Sequence, residues 1–143
     1  MTDEEFLRRA IKVGNQKAKP YNFGAVVVDP DGNIVSEAVN QVHETNDPSA
    51  HAELLAIRLA AQKIGSHNLE HYVLYAGHEP CAMCFLAAAW AKFGQVIYAI
   101  SASEQELRYE LKNITLDDIA ASLHNRNILA QHMPLDGIDE SRD

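Results

Sequence analysis

No run of eighteen uncharged apolar residues occurs in the chain, which excludes a transmembrane helix, because about twenty such residues are needed to cross a bilayer. The opening Met-Thr-Asp-Glu-Glu lacks the basic and then apolar order of a secretory signal, so a cytoplasmic, reducing compartment is expected. Only two cysteines are present in 143 residues, and a disulfide framework is therefore not what holds the chain together. Basic residues are scarce as well, 12 against 20 acidic, for a formal net charge of −8. Five of the 12 fall in the first twenty positions (Arg8, Arg9, Lys12, Lys17, Lys19), and from Phe85 onward five basic residues face nine acidic ones. Nucleic-acid binding draws most of its affinity from neutralised phosphates, and no wide basic field is available for it. Arg8, Arg9 and Lys12 read instead as a solvated helix face. Repeats, low-complexity tracts and linkers are also absent, which leaves a single domain over 1–143, with the acidic residues 134–143 expected to form a mobile tail.

What the chain does have is apolar content, 47% of its residues, enough for a full core at this length. Thr2-x-x-Glu5 is a capping box opening a helix with Phe6, Leu7, Ala10, Ile11 and Val13 on its apolar side. Phe23-Gly-Ala-Val-Val-Val28 reads as a buried strand, Asp29-Pro-Asp-Gly32 as a turn, and Ile34–Val39 as the returning strand of a hairpin. Asp47 and Pro48 mark the expected start of a second long helix, closed by Gly65. Tyr72–Ala76 is a third strand, Gly77–Pro80 a short loop, Cys81–Lys92 an apolar helix closed by Gly94, and Val96–Ile100 a fourth strand. Helices are expected at Glu104–Lys112 and after Thr115, and a fifth strand at Ile128–Met133. Helix, hairpin and then alternating helices and strands predict an α/β domain of three layers (αβα), with helices on both faces of a mixed five-stranded sheet.

Two short motifs carry the chemistry: His51-Ala-Glu53 and, thirty residues after His51, Pro80-Cys-Ala-Met-Cys84. Each stands where a helix begins. Cys81 and Cys84, three apart, lie on nearly the same side of a helix, at the end where the dipole favours thiolates. His51 and Glu53 are two apart, about 200° around a helix, so they can share a ligand only over its open N-terminal end. Two helix starts converging on one metal is the geometry this spacing asks for. Two thiolates and one imidazole make three zinc ligands, and catalytic zinc keeps its fourth position for water or substrate. With no third cysteine available, an open site is favoured, and Glu53 beside it suits the role of proton shuttle. A thioredoxin-like redox pair and a closed zinc site completed by His43, His67, His71 or His78 are the competing readings. His67, His71, His124 and His132 read as ordinary surface or satisfied residues, and His78 is open to either reading.

At these residues the sequence resembles the zinc nucleobase and nucleoside deaminases, whose signature is H-x-E…P-C-x-x-C, and within them the bacterial guanine deaminases of the cytidine deaminase-like fold. The resemblance lies in NFGAVVV at 22–28, NDPSAHAELLAIR at 46–58, EPCAMC at 79–84, WAK at 90–92 and VIYA at 96–99. It implies one zinc per subunit held by His51, Cys81 and Cys84, Glu53 as the catalytic acid–base, and a homodimer. It also implies that Asn40 hydrogen-bonds a nucleobase, that Phe23 walls the ring, and that the backbone around Ala52 contacts it. The bland readings of Asn40 and Phe23 are a strand-end turn residue and a core residue. The expected reaction is hydrolytic deamination of a purine base, guanine to xanthine and ammonia. A tRNA adenosine deaminase, a deaminase of cytosine, a nucleoside or a triazine, and a zinc-stabilised binding module are the alternatives. Asn22 stands where the family has proline, and Gly77-His78 replaces a pair of small residues. After Ile100 the resemblance stops, leaving Glu104, Glu106, Asp117 and Asp118 as candidates for an acid that reads the substrate.

Overall fold

The computed structural model describes residues 1–102, 111 and 113–142. Among them the chain runs α1 (Asp3–Gly14), β1 (Gly24–Val28), β2 (Ile34–Val39), α2 (Val42–Thr45), α3 (Ala52–Ile64), β3 (Val73–His78), α4 (Ala82–Trp90), β4 (Gln95–Ile100), α5 (Leu116–Ala121) and β5 (Leu129–His132). The five strands form one mixed sheet in the order β2-β1-β3-β4-β5. β1 is antiparallel to both its neighbours, whereas β3, β4 and β5 run parallel. The αβα architecture is the one expected.

The period of two along β1 divides the core. Ala25 and Val27 face a cluster built with Ala52, Ala56, Phe85 and Ala88 of α3 and α4. Val26 and Val28 face the other way, onto Phe6, Leu7, Ala10 and Val13 of α1. Each side chain is therefore buried under one helix layer or the other, which is why this strand is apolar throughout rather than alternating. Ala52, Ala56 and Ala60, spaced by four, are fully buried on α3, and such small residues let the helix backbone lie close to the sheet. The capping box forms at α1: Glu5 N–H donates to Thr2 Oγ1 (3.3 Å) and Thr2 N–H to Glu5 Oε2 (2.7 Å). Thr115 and Asp118 repeat the device at α5. Gly14 and Gly24 cross at the end of α1: a Cβ on Gly14 would come within 2.6 Å of the Asn22 carbonyl oxygen, and one on Gly24 would strike Ala10 and Gly14 backbone. This close crossing sets where Asn22 and Phe23 lie.

Several expectations need correction. The helix after Asp47-Pro48 starts at Ala52, not at Pro48. Asp47 Oδ1 instead accepts from Ser49 N–H (2.9 Å) and Ser49 Oγ–H (2.7 Å), closing a local turn that competes with helix initiation. Residues 77 and 78 belong to β3 rather than to a loop, because His78 stays in register with Ile100 of β4. α4 is shorter than expected and ends at Trp90; its left-handed stop is Lys92 (φ 69°), not Gly94. The short α2 was not foreseen. Tail residues 134–142 lie against the domain rather than apart from it. Leu135 is buried in the α1-side core, Arg8 donates to the Asp136 carbonyl (3.1 Å), and Lys19 pairs with Asp139 and donates to Ser141 Oγ (2.7 Å). The expected helix at Glu104–Lys112 lies outside the described residues.

Candidate active site

At the C-terminal ends of β3 and β4 a cavity of about 280 Å³ opens between the starts of α3 and α4, lined by Phe23, Asn40, His51, Ala52, Glu53 and Cys81 among others. Crevices at the carboxyl ends of parallel strands are where α/β domains commonly bind ligands. His51 and Cys81 are the N-cap residues of α3 and α4, both with extended backbone and neither spending its side chain on the cap. Both side chains turn toward the gap between the helix starts, and His51 Nδ1 lies 3.4 Å from Cys81 Sγ. Cys84 adds its thiol one turn into α4, fully buried. One ligand atom from each of His51, Cys81 and Cys84 falls within 4.8 Å of the others. Among the described residues no fourth His, Cys, Asp or Glu joins that group. His43 reaches the cavity wall, whereas His67 and His71 are exposed.

The electrostatics of these groups suit a dication. Hydrogen bonding from Cys84, and then His51, pulls the Cys81 thiol down to about 4 against the opposing cost of burial. Cys84 is pushed up, first by that same shared hydrogen bond and then by burial. The pair therefore retains one proton between two sulfurs, and a zinc ion in its place would satisfy both as thiolates. Glu53, the second residue of α3, is buried. Burial foremost pushes its carboxyl up to about 7; its own backbone N–H opposes the shift, and negative charge on Cys81 adds to it. A carboxyl poised near neutrality can both take and give a proton at working pH.

The profile of the family described as cytidine and deoxycytidylate deaminase zinc-binding region matches residues 1–100. The chain belongs to that family. Within this deaminase family, guanine deaminase of Bacillus subtilis is 43% identical over 102 residues, which are 69% of this chain and 65% of that enzyme. A tRNA-specific adenosine deaminase of Aquifex aeolicus is 37% identical over 101 residues, 69% of this chain and 66% of its own. The chain thus spans a little under two thirds of the length of these relatives. The X-ray structure of Bacillus subtilis guanine deaminase superposes with a TM-score of 0.69 at 34% identity, over 95% of this chain and 88% of that one.

The deaminase-family residues read from the sequence all meet at this cavity: His51, Ala52, Glu53, Cys81, Asn40 and Phe23 line it, and Cys84 sits behind Cys81. Asn40 fills the turn role weighed for it. Its Oδ1 accepts from Val42 N–H (2.8 Å), closing the turn after β2, and its amide nitrogen has no hydrogen-bond partner among the described residues. Asp117 and Asp118 do not reach the cavity; Asp118 is spent on the α5 cap. Glu104 and Glu106 lie outside the described residues. The sequence did not single out Tyr21, Val42, Glu79 or Ala102, which complete the wall, and it left His78 open. Only the register of β3 and β4 brings His78 and Ala102 here, and no local pattern announces that.

Proposed function

We propose that the chain is a zinc-dependent hydrolytic deaminase of a purine base, with guanine to xanthine and ammonia as the reaction. The observation that carries this reading is a three-ligand cluster with no fourth protein ligand among the described residues, beside a buried carboxyl and at the wall of a cavity sized for one small ring. His51, Cys81 and Cys84 would hold the zinc. When bound, zinc supplies Lewis-acid activation of a water molecule. Glu53 takes one proton from the attacking water as the water oxygen bonds to the amine-bearing carbon and gives it to a ring nitrogen; it then carries the second water proton to the amine, which leaves as ammonia as the C–N bond breaks and the C=O bond forms. Water is consumed and one ammonia is released per ring. Asn40 presents its amide N–H to a ring acceptor, Phe23 packs on the ring, and the Ala52 backbone at the start of α3 faces an electron-rich edge.

The protein works as a homodimer in the cytoplasm under this reading. Met83 and Trp90, seven residues apart on α4, and Leu59 of α3 are exposed apolar residues, the kind of surface a second copy would cover. Ammonia release from zinc-loaded protein, measured on guanine, guanosine, adenine, cytosine, a triazine and a tRNA anticodon stem, tests the substrate. Turnover of guanine with none on the stem is expected. Turnover of the stem alone would replace the reading with tRNA adenosine deamination, and no turnover on any of the six would leave a zinc-stabilised binding module.

A further inference from the structure

His78, at the end of β3, is 95% buried, the figure that decides how its polar atoms must be satisfied. It lines the cavity and meets the Phe23 ring edge-on at 4.9 Å. Arg142, from the tail, comes over the Phe23 ring, with Cζ 4.5 Å from the ring centroid. It is also bonded to Asn22 Oδ1 (3.0 Å), to the Pro20 carbonyl and to His78 Nε2 (2.8 Å). Asn22 and His78 both lie where the chain departs from the family pattern, and one guanidinium joins them.

The chemistry of that contact assigns the histidine tautomer. A guanidinium has donors only, so Nε2 must accept and the ring proton must sit on Nδ1. Burial, and then the nearby Arg142 charge, hold the imidazole neutral by lowering its pKa to about 4. Nδ1 is shut off from solvent and has no hydrogen-bond partner among the described residues. A buried N–H donor with no acceptor is costly, and in a cavity wall it is explained by a partner that arrives with the ligand. We infer that His78 is a specificity-determining residue whose Nδ1–H donates to one acceptor atom of the bound ring, and that Arg142 is the positioning residue that fixes its tautomer. The inference rests on the purine reading above and adds to it a donor on the β3 side. A small side-chain adjustment on binding, of the kind common at interfaces, opens Nδ1 to the ring.

Two measurements on the zinc-loaded protein decide the matter. Long-range ¹H–¹⁵N spectra are expected to show His78 as the Nδ1–H tautomer, and Arg142→Met to release it toward a mixture. An Nε2–H tautomer in the unaltered protein would overturn the inference. Binding of guanine is then compared with that of 2-aminopurine, 7-deazaguanine and 3-deazaguanine, which lack the exocyclic oxygen, N7 and N3 as acceptors. The unaltered protein is expected to bind one of the three at least about 10-fold more weakly than guanine. His78→Gln keeps an acceptor for Arg142 but loses the donor near the backbone, and should bring that ratio close to one. His78→Asn places an amide N–H near the Nδ1 position and should restore it. An equal loss for all four ligands in His78→Gln, or an unchanged ratio, would leave His78 a structural wall and reject the proposal. Binding of all four without discrimination by the unaltered protein rejects it too, with the purine reading intact. Binding of none rejects the purine reading itself and this inference with it.

Discussion

Two clefts lie at opposite ends of the sheet, and their sizes run against their chemistry. The cleft at the starts of β3, β4 and β5 is the roomier, about 600 Å³ against about 280 Å³, and is lined by His71, Lys92, Asn125 and Arg126 among others. His71, Lys92 and Asn125 are exposed there and all three have left-handed backbone (φ 70°, 69° and 56°). Those conformations turn the chain where helices and loops hand over to strands, and Arg126 Nε there donates to the Ala89 carbonyl at the end of α4 (3.0 Å). These residues work on the chain itself. At the other end, Glu53, Cys81, Cys84 and His78 all carry ionisable groups displaced from their ordinary ranges by burial or by one another. Titratable groups pushed off their ordinary values in a cleft mark function better than volume does.

The sharpest way to break this contrast is at Glu53. Glu53→Gln should keep its zinc and lose about 10²–10⁴ in turnover, the usual worth of a general acid–base; a fully active variant would sink the mechanism. Cys84→Ala comes next. It should lose most of its bound zinc on dialysis, and with it the stability gained by tying two helix starts together. Metal analysis and thermal unfolding read both, and unchanged metal content contradicts the ligand assignment.

A smaller effect is expected from pH. The His78 pKa is about 4 when folded against an ordinary 6.5, so the unfolded chain binds the proton first. Its contribution to stability is then intact above about pH 6.5 and declines as pH falls toward about 4, by up to about 3 kcal/mol. Comparing His78→Asn with the unaltered protein across that window isolates it, because the other groups titrate in both; parallel stability curves would contradict the burial argument. The least effect belongs to the larger cleft. Lys92→Gly relieves a left-handed non-glycine residue and should change stability by less than about 1 kcal/mol while leaving turnover untouched. A large loss of turnover there would show that the roomier cleft also serves the reaction.

Much of the fold was legible because its signals are local. The capping boxes at Thr2 and Thr115, the all-apolar β1, the Asp29–Gly32 turn and the Gly65 stop each rest on a few neighbouring residues, and each stands in the structure. The misreadings have two causes, a local turn that displaces a helix start and local signals outweighed by contacts further away. Asp47-Pro48 looks like a helix start, but Asp47 is spent on the turn with Ser49 and the helix begins only at Ala52. Gly77-His78 looks like a loop, yet the parallel register with β4 extends β3 through it. The polar tail looks detachable, yet Leu135 finds room under α1 and Arg142 finds three acceptors near β1 and β3.

The cluster of His51, Cys81 and Cys84 with Glu53 beside it could be named from the sequence alone, because groups that converge from two helix starts demand particular residues at particular spacings, and few other uses of those residues demand the same. The helix periods and the alternation of elements likewise announce the three layers. Tertiary structure alone decided how the cavity is finished: that His78 joins the wall with a nitrogen unmatched among the described residues, and that the last residues of the tail come back to hold it. These depend on strand register and on contacts between residues up to 122 positions apart. Spacing along the chain carries no information about such pairs, since a side chain 122 residues away enters the site only through the packing of everything between.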